Sequence, residues 1–283
     1  MSKLKKHKVL KASDHLVSGE FFNIYWDNEK KRAWTDLGHL DSLDPYYESN
    51  DYVSHHDKAR SWIQKLYVRA RGLMLNYKHL ILKKQIKPKS RLLDIGCGTG
   101  AYLSFMKTKG FQVDGVENNS KARRICNENH LNVQADEKSF DPNSFDLITL
   151  WHVLEHLPNP EKSVLTYHQL LKKEGLLIIA VPNFESHDRF YYQEDWAALD
   201  VPRHRWHFTP RGLIKTIEEI GFERIKTKAL TLDVFYICYL SEKYRGKSIP
   251  FIRGMIKGLF FSLKSLFTFR HSSLVFVFRK RAL

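Results

Sequence analysis

From Lys58 to Ile86 the apolar positions Trp62, Leu66, Ala70, Leu73, Tyr77, Leu80 and Ile81 recur at helical spacing, one stripe of an amphipathic helix. The spacing predicts one long helix ending near Pro88. After it the rhythm changes to short apolar runs. RLLDIG (91–96), FQVDGVE (111–117), FDLITLW (145–151), GLLIIAV (175–181), GFERIKTKAL (221–230) and SSLVFVF (272–278) read as strands, bounded by turn residues and mostly preceded by helical stretches such as Ser120 to Asn129. Strands alternating with helices build a parallel sheet wrapped on both faces. Residues 234–270 separate the last two strands and are expected to form a helical insertion. The first part of the chain is mixed, with strand-like FFNIYW (21–26) and an aromatic-rich loop, DPYYESNDYVSHHD (44–57). The division is therefore an N-terminal extension (1–57), a core (58–233), an insertion (234–270) and a closing strand (271–283).

Composition narrows the class without naming a reaction. With 283 residues, 43% of them hydrophobic and 13% aromatic, the chain can fill a core, which excludes global disorder. Cys97, Cys126 and Cys238 are too scattered for a disulfide framework or a CxxC zinc site, a usage that suits a reducing cytosol. The basic start runs into polar residues, so no secretory signal is read and a cytoplasmic location is expected.

Charge is concentrated at the ends. The net charge is +15; Lys3, Lys5, Lys6, Lys8 and Lys11 open the chain, and ten Lys or Arg but no Asp or Glu follow Glu242. Basic ends favour soft attraction to anionic surfaces. The segment 250–269 is apolar but broken by Arg253, Lys257 and Lys264, so it does not read as a membrane span. Its stripe of Ile252, Ile256, Leu259, Phe260, Leu263, Leu266 and Phe267 fits either packing on the core or peripheral contact with the inner face of a membrane.

The chemistry begins at LLDIGCGTG. A buried strand runs to Asp94, then Gly96, Gly98 and Gly100 turn the chain into a helix at Ala101. Such a turn lets a ligand approach the backbone at a helix N-terminus. Gly96, Gly98 and Ala101 also satisfy the dinucleotide pattern GxGxxG/A, so a nicotinamide enzyme is a competitor. Asp94 weighs against it, because a carboxylate there repels a diphosphate and welcomes an ammonium group. Glu117, ending the next strand, is placed to accept hydrogen bonds from ribose hydroxyls.

With these residues the sequence resembles the class I S-adenosylmethionine-dependent methyltransferases. LLDIGCGTG is similar to their first motif, GVE (115–117) to their ribose-binding acid, SFDLITLWHVLEHLPNP (144–160) to their fourth strand and following helix, and LLKKEGLLIIAVPN (170–183) to their fifth strand. With YYQEDWAALDVPRHRWHFTPRGL (191–213), the likeness is to the subgroup related to quinone-biosynthesis and sugar methyltransferases. The resemblance implies a Rossmann-like, doubly wound α/β sheet of seven strands, the last antiparallel. It implies S-adenosyl-L-methionine as cofactor, with Asp94, Gly96, Gly98 and Gly100 around the methionine part, Glu117 on the ribose, Asn118 and Asp136 by the adenine, and Trp151 and His152 near the transferable methyl. Many relatives carry a cysteine-bearing ribbon before the core; the N-terminal segment here lacks cysteine, so a zinc site is not carried over and at most a degenerate remnant of the ribbon is expected.

Several residues remain for the acceptor side. His152, Glu155 and His156 spell H-x-x-E-H, a zinc-protease spacing; inside a fourth-strand motif no metal is expected from it. His156 and His204 are the candidate bases, because a neutral imidazole can take a hydroxyl proton near neutral pH. Arg203 could hold an anionic group and His207 could line the pocket, while Tyr47, with Tyr46 and Tyr52, could cover it. The expected reaction is methylation of a small molecule (a sugar or glycan precursor, a quinone-like lipid or a secondary metabolite), chiefly on oxygen. RNA methylation is the alternative raised by the charge, but TLWHVLEH lacks the Asn/Asp-Pro-Pro-aromatic turn of many exocyclic-amine methyltransferases. A non-catalytic cofactor-binding scaffold at a membrane surface is the other. The oligomeric state is not legible.

Overall fold

A computed structural model of the chain describes residues 7–38, 40–47, 62–83, 85–87 and 89–281, and for 62–71 the backbone alone. The chain opens as an antiparallel meander of β1 (His7–Ser13), β2 (Phe21–Asp27) and β3 (Arg32–Thr35). Buried Phe22, Ile24 and Ala33 line its inner face. The β1–β2 turn is tied by Asp14, whose carboxylate accepts from Leu16 N at 3.1 Å and Ser18 N at 2.8 Å. Helix α1 (Trp62–Leu82) follows, inside the range that the spacing predicts. Residues 48–61, including Tyr52 and the start of the expected helix, lie outside the described residues.

The main layer alternates strand and helix: β4 (Arg91–Ile95), α2 (Ala101–Thr108), β5 (Gln112–Val116), α3 (Ser120–Glu128), β6 (Asn132–Gln134), β7 (Phe145–Trp151), α4 (Pro160–Leu170) and β8 (Leu171–Pro182). Then come α5 (His187–Tyr192), the short strand β9 (Trp206–Phe208), α6 (Pro210–Glu219), β10 (Phe222–Ala229), α7 (Asp233–Tyr244), α8 (Pro250–Thr268) and β11 (Ser273–Lys280). The seven-stranded sheet has the order β10-β11-β8-β7-β4-β5-β6, and β11 runs antiparallel to both β8 and β10. The expected doubly wound sheet with an antiparallel last strand is thus present. Its central strands are buried along nearly their whole length, as in Ile178, Ile179 and Ala180 of β8, because helices cover both faces.

Two stretches differ from the sequence reading. The segment 191–213 holds a strand that the sequence reading does not include: β9 pairs antiparallel with β3 and completes a second, four-stranded sheet, β1-β2-β3-β9. Three residues are too few for a periodicity signal. For the same reason β6 goes unannounced. A third core cluster joins Phe22 and Ile24 of the meander to Tyr192, Trp196 and Leu199, and to Val234, Cys238 and Phe261 of the insertion. The N-terminal sheet, the segment after β8 and the helical insertion therefore pack as one layer over the carboxyl end of β8, where ligands bind in sheets of this kind.

Candidate active site

Parallel pairing of β4 with β7 sets Asp94 beside Thr149, and the Thr149 hydroxyl donates to Asp94 Oδ1 at 2.5 Å. Burial pushes the Asp94 carboxyl up to about 7, against the lowering effect of Thr149 and the ammonium of Lys78. A cation resting on this carboxyl would restore its charge. The turn after β4 needs glycine for two different reasons. Gly96 has φ +65°, and a Cβ there would lie 2.6 Å from Val153 Cγ2. Gly98, with φ +55°, has nothing within 4 Å of an added Cβ, so its backbone faces open space that a ligand can approach.

Glu117 ends β5 by turning back on this loop. One carboxylate oxygen accepts from Gly98 N and the other from Asn119 N, each at 2.9 Å. Each oxygen keeps a further lone pair for a hydroxyl donor. Asn118 and Asp136 sit exposed nearby in sequence to the strand ends, but Asp136 is occupied in capping a short turn by accepting from Lys138 N at 2.8 Å. Trp151 closes the other side. Its ring meets Tyr102 edge-on at 5.5 Å and carries Lys78 Nζ 4.3 Å above it, while Trp151 Nε1 and Tyr102 Oη are buried without partners among the described residues. Tyr102 and Lys78 had no sequence signal beyond Tyr102 following the glycines.

Beyond Trp151 the chain takes a left-handed step at His152 (φ +57°). Its Nδ1 lies 3.3 Å from Glu155 Oε1 and its Nε2 3.0 Å from Asp233 Oδ2 at the start of α7. Burial alone would lower this imidazole, but the two carboxylates overcome it and raise it to about 10. His152 is therefore a cation at neutral pH. Asp233, 81 residues away in the chain, could not have been found from the sequence.

His156 and His204 are brought together, their rings edge-to-face at 4.6 Å. His156 Nδ1 lies 3.1 Å from the Arg203 carbonyl and 3.2 Å from Tyr47 Oη; His204 Nδ1 lies 2.9 Å from the Ala198 carbonyl. A carbonyl only accepts, so each Nδ1 carries a proton, and His204 Nε2 lies 3.8 Å from Asp200 Oδ2. Burial and the neighbouring His204 push His156 down to about 4, leaving it neutral. Glu155, His156 and His204 place ligand atoms within 4.8 Å of one another, the one such group among the described residues, and buried Glu155 Oε2 has no hydrogen-bond partner.

The remaining expected acceptor residues are placed otherwise. Arg203 is 1% exposed: its Nη2 donates to Asp14 at 2.9 Å and to Asp200 at 2.8 Å, and its Nη1 to the Tyr46 carbonyl at 3.3 Å. Those partners use the guanidinium within the fold, so Arg203 does not present it to a substrate. His207 is likewise buried, its Nε2 2.9 Å from Thr35 Oγ1, and Thr35 Oγ1 donates to the His204 carbonyl at 2.7 Å. Both expected substrate contacts thus belong to the frame that holds His204. Of the three, Tyr47 is the one whose side chain reaches a ring nitrogen of the histidine pair.

Residues 67–227 match the family model described as Methyltransferase domain. A ubiquinone biosynthesis O-methyltransferase from Glaesserella parasuis serovar 5 (strain SH0165) is 36% identical over 107 residues, covering 33% of this chain and 45% of that protein. One from Paraburkholderia phymatum is 32% identical over 161 residues, covering 53% and 68%. The chain spans less than half the length of the first two curated relatives, 45% and 41%. In three dimensions it is similar to a SAM-dependent methyltransferase from Methanosarcina mazei, with a TM-score of 0.51 at 18% identity over 72% of this chain and 98% of that one. That last likeness concerns the fold.

Proposed function

Because the chain belongs to the methyltransferase-domain family of S-adenosyl-L-methionine-dependent enzymes, we propose that it methylates a hydroxyl oxygen of a small-molecule acceptor of the quinone-like, phenolic class. The donor fits the residues present: the open approach at Gly98 accommodates the amino-acid part, Asp94 offers a carboxylate to its ammonium, and Glu117 has lone pairs for the ribose. When bound, it supplies an electrophilic methyl for in-line displacement.

The chain's own residues have two tasks, to orient the acceptor and to remove its proton. The observation that carries the oxygen reading is the neutral imidazole of His156, its Nδ1 fixed on the Arg203 carbonyl and its Nε2 left to accept a proton, set edge-to-face against His204. His156 Nε2 would take the hydroxyl proton as the oxygen–methyl bond forms, with Tyr47 and His204 bordering the acceptor. The cationic His152, held between Glu155 and Asp233, would keep Glu155 ionised and so favour the imidazolium that results. The names of the relatives support the phenolic class.

The test is transfer of labelled methyl from S-adenosyl-L-methionine to a panel of catechols, simple phenols, sugars and amines. Transfer to phenolic oxygen is expected, and His156→Gln should lower kcat by about 100-fold or more, the usual contribution of a general base. Methylation of amines alone, or a His156→Gln variant near wild-type kcat, would overturn the proposal.

A further inference from the structure

Helix α8 is built inside out. Gly254, Gly258, Phe261 and Ser265 are its buried face, and a Cβ on Gly254 would lie 2.5 Å from Tyr239 Cα, one on Gly258 2.6 Å from Phe235 Cδ1. The glycines let α8 lie directly on α7. At about 100° per residue, the side opposite carries Ile252, Ile256, Leu259, Leu263 and Leu266, which are 52%, 64%, 55%, 53% and 68% exposed. Phe267, 91% exposed, lies beside them. In an ordinary surface helix the large apolar residues face the core and the polar ones face water. Here small residues face the core and the large ones point away.

The charges on α8 follow a second rule. Arg253, Lys257 and Lys264 fall along one flank, between the buried face and the apolar stripe. Arg253 is tethered to buried Glu242, Nε to Oε2 at 2.7 Å, whereas Lys264 is exposed. The chain carries no Asp or Glu after Glu242. Among the described residues no helix is long and apolar enough to cross a membrane, so the stripe is not a span.

We infer that the outer face of α8 docks in the plane of an anionic lipid surface, its apolar stripe among the acyl chains and its basic flank at the headgroups. An apolar face with basic residues at its border is the arrangement of helices that lie in a membrane interface. Charge separates this occupant from a second copy of the chain, which would set the same lysines against each other with no acid on either helix to meet them. Docking does not depend on which acceptor is methylated. It does bring the membrane close to the catalytic layer, because α8 rests on α7 and α7 begins at Asp233, the partner of His152.

The test is co-sedimentation of the full chain with vesicles of phosphatidylcholine alone or mixed with phosphatidylglycerol. Binding to the mixed vesicles is expected, falling with salt. An Ile256→Gln, Leu263→Gln, Phe267→Gln variant should bind them at least about tenfold more weakly, with an unchanged melting temperature because these side chains lie outside the core. Should that variant melt early, Lys264→Glu supplies the same test from the headgroup side and should weaken binding to the mixed vesicles only. Wild-type chain left in the supernatant of both vesicles, equal binding by the correctly folded variants, or a dimer in solution that the triple substitution dissolves would overturn the inference.

Discussion

Arg203 reaches back across 189 residues to Asp14, Nη2 to Oδ1 at 2.9 Å, with 1% and 0% of the two side chains exposed. It joins the turn of the first hairpin to the loop that carries His204. Asp14 is held below its ordinary range: burial opposes this, but the Ser18 amide and Arg203 outweigh it. Removing Arg203 leaves the buried Asp14 carboxylate without its cation, at a cost of roughly 3–5 kcal/mol, and removing Asp14 leaves the buried guanidinium with Asp200 as its one carboxylate.

Arg203→Met and Asp14→Asn should therefore each lower the melting temperature substantially, measured by calorimetry, and should not raise KM for the acceptor selectively. A substrate-holding Arg203 gives the reverse pattern, a higher KM with unchanged melting. The two outcomes separate a frame residue from a contact residue.

His152 and His156 should shape stability on opposite sides of neutrality. His156 is pushed down to about 4 in the folded chain, so between that value and about 6.5, the ordinary histidine pKa, the unfolded chain binds the extra proton and stability falls on acidification. His152 is raised to about 10. Its contribution is complete below about 6.5 and is lost as pH rises toward 10. Thermal melts from pH 4 to 10 should thus fall at both ends, with His156→Gln flattening the acid limb and His152→Asn the alkaline limb. Unchanged limbs in these variants would remove the assignment.

The parts of the fold legible in the sequence were those with a long period or a motif. The strands from RLLDIG to GLLIIAV announce themselves because buried parallel strands are mostly apolar runs, and the glycine turn because only certain residues make it. The resemblance adds the roles of Asp94 and Glu117; Glu117 accepts from the Gly98 amide of the glycine turn, and Asp94 is held by Thr149 in the strand before it. Arg203 and His207 read as substrate contacts because polar residues in a loop after a strand look exposed. They turn inward since β9 pairs with β3, and that pairing is written in three residues and a distant segment. Asp233 and Asp14 were silent for the same reason: a partner fixed by tertiary packing leaves no trace at short range.

Glu117 should couple the glycine loop to the donor site. Glu117→Gln keeps the shape but loses the charge that assists two hydrogen bonds, to Gly98 N and Asn119 N, bonds of a kind worth about 1.5–3 kcal/mol. Calorimetric titration should find S-adenosylhomocysteine bound about 10- to 100-fold more weakly, with NAD unbound by either form. Binding equal to wild type would show that Glu117 does not serve the ribose.

Chelation separates two chemistries open to Glu155, His156 and His204. Their ligand atoms lie within 4.8 Å of one another, a grouping that could hold a divalent cation as well as a proton. The partners around them favour the proton. His152 already occupies one oxygen of Glu155, and each histidine's Nδ1 is committed to a carbonyl. This leaves two nitrogens and one oxygen to converge, where a metal site also needs further ligands from solvent or substrate. Initial rates should accordingly be unchanged after dialysis against EDTA, and the acid limb of kcat should follow His156 in the chelated enzyme. A rate lost on chelation and restored by magnesium or zinc, together with its disappearance in His204→Gln, would make the same three residues a cation site and His156 a ligand instead of a base.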